Sequence, residues 1–442
     1  MSILNTLKLN SNPKIQINFD GGELSSDSGL FLLKEFISAI GLENILNTTF
    51  KTVNFEKLRR HSDVENLLQS LYQIVAGYFE DDRADDLRNE PVITACIGKE
   101  SLASQPTISR FWNSLNEDNL RQFNEILSQL REKAYKATGY PNMVLFDLDT
   151  TLLNAYGKQE GSAWNFHYQE EGYHPQLCYD GLTGDLIRAE LKDGTSYCSK
   201  DIAAFMEPVF EEYSCKYRFA NLFVRGDSGF AAPELYAQCE KYGAEYAIRL
   251  KANSALYEKA SSIDEELYKL TKEDSISHAE VYGEFMYQAG SWDKPRRVAC
   301  KIEKPYGILE HRFTFIVTNM NGAPEFVVGF YCKRGNMENF IKESKIDFDF
   351  SAVSSSKKIT NANRLQVHVL AYNLINWMRR MAFPPSLQKW RMETIRLRLV
   401  KIASRVVRHG RNIIYKLCSS CPFQEEFKKC LGNLDYLKYV LE

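Results

Sequence analysis

The sequence predicts a mixed α/β protein with a helical region at its N-terminus and a basic region at its C-terminus. Residues 1–138 contain helix-like apolar periodicities, whereas residues 139–382 alternate short apolar runs with helical patterns. Residues 351–442 hold 17 Lys and Arg against 5 Asp and Glu, although the whole chain is nearly neutral at 55 against 57. An end this basic is typical of a polyanion-binding region, or of one that packs on an acidic region.

The N-terminal region is predicted to be all helical over residues 1–138. Ser25, Ser26 and Asp27 are helix-capping residue types, and they precede the apolar-periodic run Leu30–Leu42. Further helical patterns are found at 63–78, 91–97, 107–114 and 117–136.

The middle of the chain is predicted to form a sheet flanked by helices. A buried strand, a hairpin and two helix–strand pairs are predicted in order at 143–149, 174–191, 201–214, 221–227, 232–242 and 244–251. This order is compatible with a ribonuclease-H-like sheet. We assign the first part of that core to residues 139–251 and its second part to residues 312–382, where a strand (312–319) precedes a buried helix (365–378). The polar, strand-leaning residues 252–311 are predicted to be a β-rich insertion, and residues 383–442 form the basic C-terminal region.

The composition excludes several classes of protein. With 44% hydrophobic and 25% charged residues, the chain is not collagen-like, a coiled coil or largely disordered. Its ten Cys are scattered instead of spaced as a disulfide framework, so we expect reduced thiols. No run reaches the ~18 apolar residues of a membrane span, and the first residues lack the apolar stretch of a signal peptide. We therefore expect a cytoplasmic protein that does not enter a membrane.

Two acidic motifs follow apolar strands. The run 144–153 carries Asp147 and Asp149, and the segment 225–230 carries Asp227 between two glycines. Carboxylates at the carboxyl ends of strands lie where the active sites of α/β sheets form. Asp227 alone equally fits a cap for the next helix. The first motif also resembles the D-x-D-x-T signature of haloacid-dehalogenase-like phosphatases, with Asp147 as nucleophile and Asp149 as acid and base.

A third motif lies in the segment 330–345. Tyr331, Arg334, Glu338 and Lys345 are separated by 3, 4 and 7 residues, which predicts one face of a single helix. A solvated charged face is the alternative interpretation. Combined with the two strand-end motifs, however, Glu338 completes a set of three carboxylates. Three such groups suit a site with two divalent metal ions, and Arg334 and Lys345 suit phosphate groups.

These motifs together resemble the DDE transposases of bacterial insertion sequences, most closely the insertion-sequence-1380 family within the insertion-sequence-4-like group. The signature of that group, Y-(2)-R-(3)-E-(6)-K, matches the third motif at all four positions. The resemblance also covers FDGGELSSDSGL (19–30), FDLDTTLL (146–153), VRGDSGF (224–230) and TIRLRLVKIASRV (394–406). It extends over nearly the whole chain.

The resemblance implies a catalytic and metal-binding set of Asp149, Asp227 and Glu338, with two Mg²⁺ or Mn²⁺ ions in each active site. Asp147 is then a supporting or structural residue. The implied activity is binding of an element's terminal inverted repeats, cleavage of DNA and joining of the freed 3′ ends to target DNA, by a homodimer on double-stranded DNA at the nucleoid. The phosphatase alternative weakens because 140 residues precede its signature and no later acidic motif completes its site. The other alternative is a DNA-binding relative that has lost catalysis.

Contacts with DNA are predicted in three regions. The basic C-terminal region offers side chains for phosphates: Arg396, Arg398, Lys401, Arg405 and Arg408. Residues 405–417 are predicted to form a basic hairpin that turns at His409-Gly410. The N-terminal segment 104–111 resembles the start of a recognition helix, or is a simple helix start. Trp292 is a candidate for stacking on a flipped base, with a packed Trp as the alternative.

Overall fold

A computed structural model describes residues 6–53, 59–272, 278–308 and 310–442. The chain divides into two compact units. The first comprises residues 1–138, 347–352 and 370–442, and the second comprises 139–346 and 353–369. Within the described ranges, no helix combines the length and the apolar character needed to cross a membrane.

The N-terminal part of the first unit is mainly helical. Its helices are α1 Leu30–Ile40, α2 Leu42–Thr49, α3 Asp63–Ala76, α4 Arg83–Asp86, α5 Pro91–Ile97, α6 Gln105–Ser114 and α7 Glu117–Thr138. The helical patterns of the sequence are thereby confirmed. The prediction of an all-helical region is wrong in one respect, because three short strands precede α1: β1 Leu7–Leu9, β2 Asn12–Ile17 and β3 Leu24–Ser25. Ile15 and Ile17 alternate with the polar Lys14 and Gln16 in β2, as in a half-buried strand, yet all six of its residues are exposed.

The second unit contains an eight-stranded mixed sheet and a small three-stranded sheet. Its strands are β4 Met143–Thr150, β5 Leu153–Asn154, β6 Ala163–Asn165, β7 Glu170–Tyr173, β8 Gln176–Asp180, β9 Leu186–Glu190, β10 Asn221–Gly226, β11 Glu245–Leu250, β12 Ala279–Tyr287, β13 Arg296–Lys304 and β14 Arg312–Thr318. The large sheet has the order β12-β13-β14-β11-β10-β4-β8-β9, and the small one has the order β5-β7-β6. Strands β4, β10 and β11 are parallel neighbours, whereas the other pairs of the large sheet are antiparallel.

Helices of the second unit connect these strands. They are α8 Ile202–Lys216, α9 Pro233–Lys241, α10 Ser254–Lys259, α11 Ser261–Thr271, α12 Pro324–Cys332 and α13 Asn336–Ile346. A longer helix, α14 Lys358–Ala382, begins in the second unit and ends in the first. The core is apolar where helices meet the sheet: Phe146 of β4 is fully buried and contacts Phe210 and Tyr213 of α8 edge to face.

The predicted β-rich insertion, residues 252–311, differs from expectation. It begins with two helices, α10 and α11, and its strands β12 and β13 pair in line with β14 as part of the large sheet. Residues 273–277 and 309 of this segment lie outside the described residues. Apolar alternation marks strands but not their partners, so the sequence could not reveal that these strands extend the core sheet.

The C-terminal part of the first unit contains α15 Met392–Ile395, a π-helical turn at Arg396–Val400, β15 Ser404–His409, β16 Asn412–Leu417 and α16 Gln424–Leu441. Strands β15 and β16 form the predicted hairpin, in which His409 lies opposite Asn412. Gly410 occupies the turn with a φ of 59°, a conformation that favours glycine. Strand β3 pairs with β15 through Ser25 and Ser404, which explains why so short a strand forms.

Candidate active site

Two carboxylates lie at the same edge of the large sheet. Strands β4 and β10 are parallel, and Leu148 of β4 pairs with Gly226 of β10. The next residue is Asp149 within β4 and Asp227 directly after β10. Asp149 Oδ1 accepts a hydrogen bond from the Thr150 amide at 2.8 Å. Asp227 Oδ1 accepts one from the Gly229 amide at 2.8 Å and thereby caps the short 3₁₀ turn that follows β10. Asp227 therefore caps a helical turn while it lies beside the other strand-end carboxylate.

Electrostatics link these carboxylates to Arg334. Burial raises the pKa of Asp149; the Arg334 guanidinium opposes this rise, and the charge of Asp227 adds to it. Arg334 Nη2 lies 2.9 Å from Asp149 Oδ2 and donates to the Leu148 carbonyl at 2.7 Å. Both charged side chains are largely buried, with 15% of Arg334 and 18% of Asp149 exposed. Two acids and one guanidinium thus form a single electrostatic group.

The signature residues do not share one helix, so that prediction is wrong. Tyr331 lies near the end of α12, Arg334 lies in a 3₁₀ turn at Lys333–Gly335, and Glu338 and Lys345 lie in α13. A single face at this spacing needs one unbroken α-helix, whereas the chain forms a 3₁₀ turn between α12 and α13. Tyr331 instead packs, partly buried, against the apolar cluster around Val327, and its pKa is raised by burial.

A cleft of about 510 Å³ brings part of the signature together with the first acid. Asp149, Glu338 and Lys345 all line it, whereas Asp227 and Tyr331 are not among its lining residues. The full set of lining residues is Asp149, Thr150, Thr151, Tyr168, Glu338, Ile341, Lys342, Lys345 and Ile346. Burial lowers the pKa of Lys345, an effect that Glu170 opposes.

Sequence reasoning missed two polar members of this cleft. Lys342 follows Glu338 by four residues in α13, so helical spacing could have identified it. Tyr168 comes from the loop between β6 and β7, and no local pattern singles it out. Burial raises the pKa of Tyr168 to about 12, with Asp149 contributing, so its hydroxyl stays protonated at neutral pH.

Asp147 has a structural environment. Its side chain is fully buried, and Arg225, 2% exposed, donates from Nε and Nη2 to its two oxygens at 2.6 Å each. Arg225 also donates from Nη1 to the Phe330 carbonyl at 2.7 Å. Burial raises the pKa of Asp147, and the Arg225 hydrogen bonds and charge oppose that rise. A carboxylate held in this way has no open oxygen for nucleophilic attack, which disfavours the phosphatase alternative.

The donor chemistry of Asp149, Asp227 and Glu338 fits a hard divalent cation, because all three supply carboxylate oxygens. Their oxygens are not all within 4.8 Å of one another; in the described part of the chain, His278, Glu280 and Glu303 form the group that meets this distance. In that group Lys301 Nζ lies 2.7 Å from an oxygen of each glutamate. That ammonium offsets one of the two carboxylate charges. The strand-end acids are the better candidates because they lie at the carboxyl ends of parallel strands, where the active sites of α/β sheets form.

Two of the predicted phosphate-binding residues make internal contacts in the first unit instead. Arg396 donates to the Val75 carbonyl at 3.0 Å and to the Asp347 carbonyl at 2.6 Å, and burial lowers its pKa. Lys401 lies 2.6 Å from Asp27, a buried carboxylate. Asp27 therefore pairs with Lys401 and does not cap α1, whose N-cap is Gly29. These charges are neutralised or hydrogen-bonded within the fold, which removes them from phosphate contact in this structure.

The other three cations predicted to bind phosphates in the C-terminal region remain on the surface. Arg398 is exposed and lies over the rings of Trp390 and Phe423, at 5.0 and 5.2 Å from their centroids. Arg405 is exposed, and the exposed Arg408 pairs with Glu23 at 2.9 Å. These arginines are available to solvent on one C-terminal segment.

Trp292 is a core residue in this structure. It is 7% exposed and contacts Tyr236 and Tyr287 edge to face, with ring centroids 5.4 Å apart in each case. The Arg296 guanidinium lies 5.8 Å from its ring centroid. Stacking on a DNA base would require this ring to leave its packing, so the geometry favours the alternative of a packed Trp.

The fold and the site define an α/β protein with an acidic cleft, flanked by cations, at the carboxyl ends of parallel strands. The chain belongs to the family described as transposase DDE domain group 1, whose model matches residues 7–439. It is therefore a transposase of the DDE class.

Solved structures similar to this chain include a synaptic complex of piggyBac transposase with hairpin DNA, at 12% identity and a TM-score of 0.42 over 84% of this chain and 80% of that one. Two Mos1 transposase structures each match 50% of this chain. One is a paired-end complex with the left transposon end, at 13% identity and a TM-score of 0.17 over 72% of that chain. The other is a strand transfer complex, at 15% identity and a TM-score of 0.15 over 71% of that chain. No curated protein matches the chain.

Proposed function

We propose that this transposase cuts and joins DNA with a ribonuclease-H-like core. If β4, β8, β9, β10 and β11 are counted as strands 1 to 5, their order in the sheet is 3-2-1-4-5. Strands 1, 4 and 5 are parallel, and strand 2 is antiparallel to both of its neighbours. That order and those directions support a ribonuclease-H-like arrangement, which strands β12 to β14 then extend beyond β11.

In this proposal Asp149, Asp227 and Glu338 hold two Mg²⁺ or Mn²⁺ ions. Such a pair activates an attacking oxygen and stabilises a leaving one. Two observations support this ligand set: the residues supply carboxylate oxygens, and the charge of Asp227 raises the pKa of Asp149. A bound cation would offset the repulsion between two such anions in a partly buried site.

The side chains around the acids are suited to a phosphodiester. Lys342 and Lys345 line the same cleft as Asp149 and Glu338, so their ammonium groups can contact phosphate oxygens. Arg334 holds Asp149 in place through the contact at 2.9 Å. In the proposed reaction, water attacks the phosphorus at the element's end and the bond to the 3′ oxygen breaks. The freed 3′ hydroxyl then attacks a target phosphodiester by direct transesterification.

The DNA contacts proposed outside the cleft rest on the exposed residues of the first unit. Arg398, Arg405 and Arg408 are proposed to bind backbone phosphates. Helix α6 buries Ile108, Phe111 and Trp112 and leaves Arg110 exposed, which suits recognition of the terminal inverted repeats. A homodimer on two transposon ends, associated with the nucleoid, follows from the family resemblance.

The observation that carries this proposal is the shared cleft of Asp149, Glu338 and Lys345 in a chain of the DDE family. Its test is Mg²⁺-dependent cleavage of a duplex that carries the element's terminal inverted repeat. We expect wild type to cleave, and Glu338→Gln to bind the duplex equally well but to lose cleavage.

The matched control for this test is Glu325→Gln, which changes an exposed acid in the first turn of α12. It should cleave as wild type does. Equal cleavage by wild type and Glu338→Gln, or binding without any cleavage by wild type, would contradict the proposal. The second result is the one expected of a relative that has lost catalysis.

A further inference from the structure

Helix α13 divides its residues between the core and the cleft. Met337 and Ser344 are fully buried, and Phe340 lies between them in sequence and is partly buried. Their spacing of three and four residues puts them on one side of the helix. Glu338 and Lys345, each one position further along than a buried residue, line the cleft. Any rotation of α13 about its axis therefore moves Glu338 relative to Asp149.

The hairpin of β8 and β9 receives the buried side of α13. The Tyr179 hydroxyl and the Ser344 hydroxyl lie 2.8 Å apart in a hydrogen bond in which either can donate. The rings of Tyr179 and Phe340 stack with centroids 6.0 Å apart and an interplanar angle of 30°. Tyr179 is fully buried, so both contacts are shielded from water.

The turn of this hairpin fits closely against the same helix. Gly184 has a φ of 75°, and a Cβ built on it would lie 2.8 Å from Phe340 Cε1. A glycine is thus required both by the backbone conformation and by the approach of the ring. The Phe340 and Ser344 contacts are four residues apart in α13, so together they restrict rotation of the helix and sliding along its axis.

Helix α13 depends on such contacts because of how it is connected. The 3₁₀ turn before it contains the exposed residues Lys333 and Gly335. The residue after it, Asp347, already belongs to the first unit. Arg334, in the same turn, anchors the start of α13 at the sheet edge through Leu148 and Asp149, and packing on the β8–β9 hairpin then restricts rotation of the helix about its axis.

We propose that Tyr179 is a positioning residue: through its bond to Ser344 and its stacking on Phe340, it holds α13 so that Glu338 faces Asp149 across the cleft. This inference rests on the proposed role of Glu338 as a metal ligand. Tyr179 acts through α13 and does not contact substrate. The class of ligand it serves is a divalent cation bound by carboxylates.

The test is Mn²⁺ affinity of the full-length protein, measured by electron paramagnetic resonance, in a double-mutant cycle. Tyr179→Phe keeps the ring and removes the hydroxyl. We expect it to weaken Mn²⁺ binding by about two- to tenfold, the ratio that corresponds to ~0.5–1.5 kcal/mol for one hydrogen bond. In a Glu338→Gln background the same change should have no further effect, since the ligand that it positions is gone.

Controls separate positioning from a general loss of structure. Tyr246→Phe removes another buried hydroxyl, one that donates to Glu240 at 3.2 Å, and should leave Mn²⁺ affinity unchanged. Ser344→Ala removes the same bond from the other side, so it must reproduce the loss, and it serves as the test if Tyr179→Phe does not fold. At saturating Mn²⁺, the KM for the DNA end should stay the same in Tyr179→Phe.

The outcomes are distinguishable. If Glu338→Gln weakens Mn²⁺ binding but neither Tyr179→Phe nor Ser344→Ala does, the positioning role is wrong and the metal site stands. An equal loss from Tyr179→Phe in the wild-type and Glu338→Gln backgrounds also overturns the positioning role. If Glu338→Gln does not weaken binding, both the proposed metal site and the inference that rests on it are overturned.

Discussion

The buried pair of Asp147 and Arg225 makes a strong prediction about stability. The two side chains are 0% and 2% exposed and share two hydrogen bonds of 2.6 Å. Arg225→Met removes the guanidinium, keeps an apolar side chain and leaves a buried carboxylate without its partner. We expect the free energy of unfolding to fall by about 3–5 kcal/mol, the cost of breaking a buried ion pair from one side.

The assay is urea unfolding of the full-length chain, followed by tryptophan fluorescence at several pH values. Burial already raises the pKa of Asp147, and loss of Arg225 raises it further. In the variant, the folded-state pKa then lies well above the unfolded one, so stability falls as pH rises through that interval. The deficit relative to wild type should be largest at neutral pH and should shrink in acid, where Asp147 is protonated.

A second variant tests whether the unpaired charge causes the loss. Asp147→Asn combined with Arg225→Met removes both charges and should recover more than half of the lost stability. Arg121→Met, which breaks an exposed pair with Asp118, should leave the unfolding midpoint unchanged. Two results would refute the reasoning. One is a stability loss below about 1 kcal/mol in Arg225→Met, and the other is a double variant whose loss is no smaller than the losses of Arg225→Met and Asp147→Asn added together.

Two further predictions concern the basic and aromatic residues. Arg405→Gln should reduce the slope of log affinity for DNA against log salt concentration by about 0.9, as expected for one lost phosphate contact. Lys401→Met should instead lower the midpoint of thermal unfolding, because it leaves the buried Asp27 carboxylate without its cation. DNA-binding titrations at several salt concentrations measure the slope, and thermal unfolding measures the midpoint. A lower midpoint in Arg405→Gln, together with a reduced slope and an unchanged midpoint in Lys401→Met, would contradict the structure. Trp292→Ala should lower the free energy of unfolding, measured in urea, by about 3–5 kcal/mol and leave cleavage by the folded protein unchanged. As a control, Trp164→Ala changes a half-exposed side chain and should lower that free energy far less. Loss of end cleavage by a fully folded Trp292→Ala would instead favour base stacking.

Local patterns predicted the parts of the site that local chemistry determines. The apolar runs that become β4 and β10 end at Asp149 and Asp227, and a strand's end can be recognised from its own residues. The parallel pairing of the two strands follows from their order with α8 between them. Both strand-end acids were therefore accessible to prediction from the sequence.

Long-range pairing accounts for what could not be predicted. Lys401 pairs with Asp27, and β15 pairs with β3, across nearly the whole length of the chain. No window of sequence contains both partners, so the sequence alone does not distinguish the internally paired Lys401 from the exposed Arg405 and Arg408. The same holds for β12 and β13, whose place in the large sheet depends on β14.

The signature itself illustrates the limit of periodicity. Tyr331, Arg334, Glu338 and Lys345 match a family pattern, and a single helix was the simplest structure for their spacing. The 3₁₀ turn at 333–335 divides them between two helices. The spacing is nevertheless consistent with a functional group, because Arg334 reaches Asp149 and Glu338 lines the same cleft.

The central claim is that Asp149, Asp227 and Glu338 bind the metal ions that cut DNA. It is tested most directly by changing each in turn to Cys and measuring cleavage of the terminal repeat with Mg²⁺ and with Mn²⁺. A thiolate is a poor ligand for Mg²⁺ and a better one for Mn²⁺. We predict that each variant binds DNA, fails to cleave with Mg²⁺ and regains cleavage with Mn²⁺. Cleavage with Mg²⁺ at the wild-type rate by any of the three would contradict the assignment of that residue as a ligand.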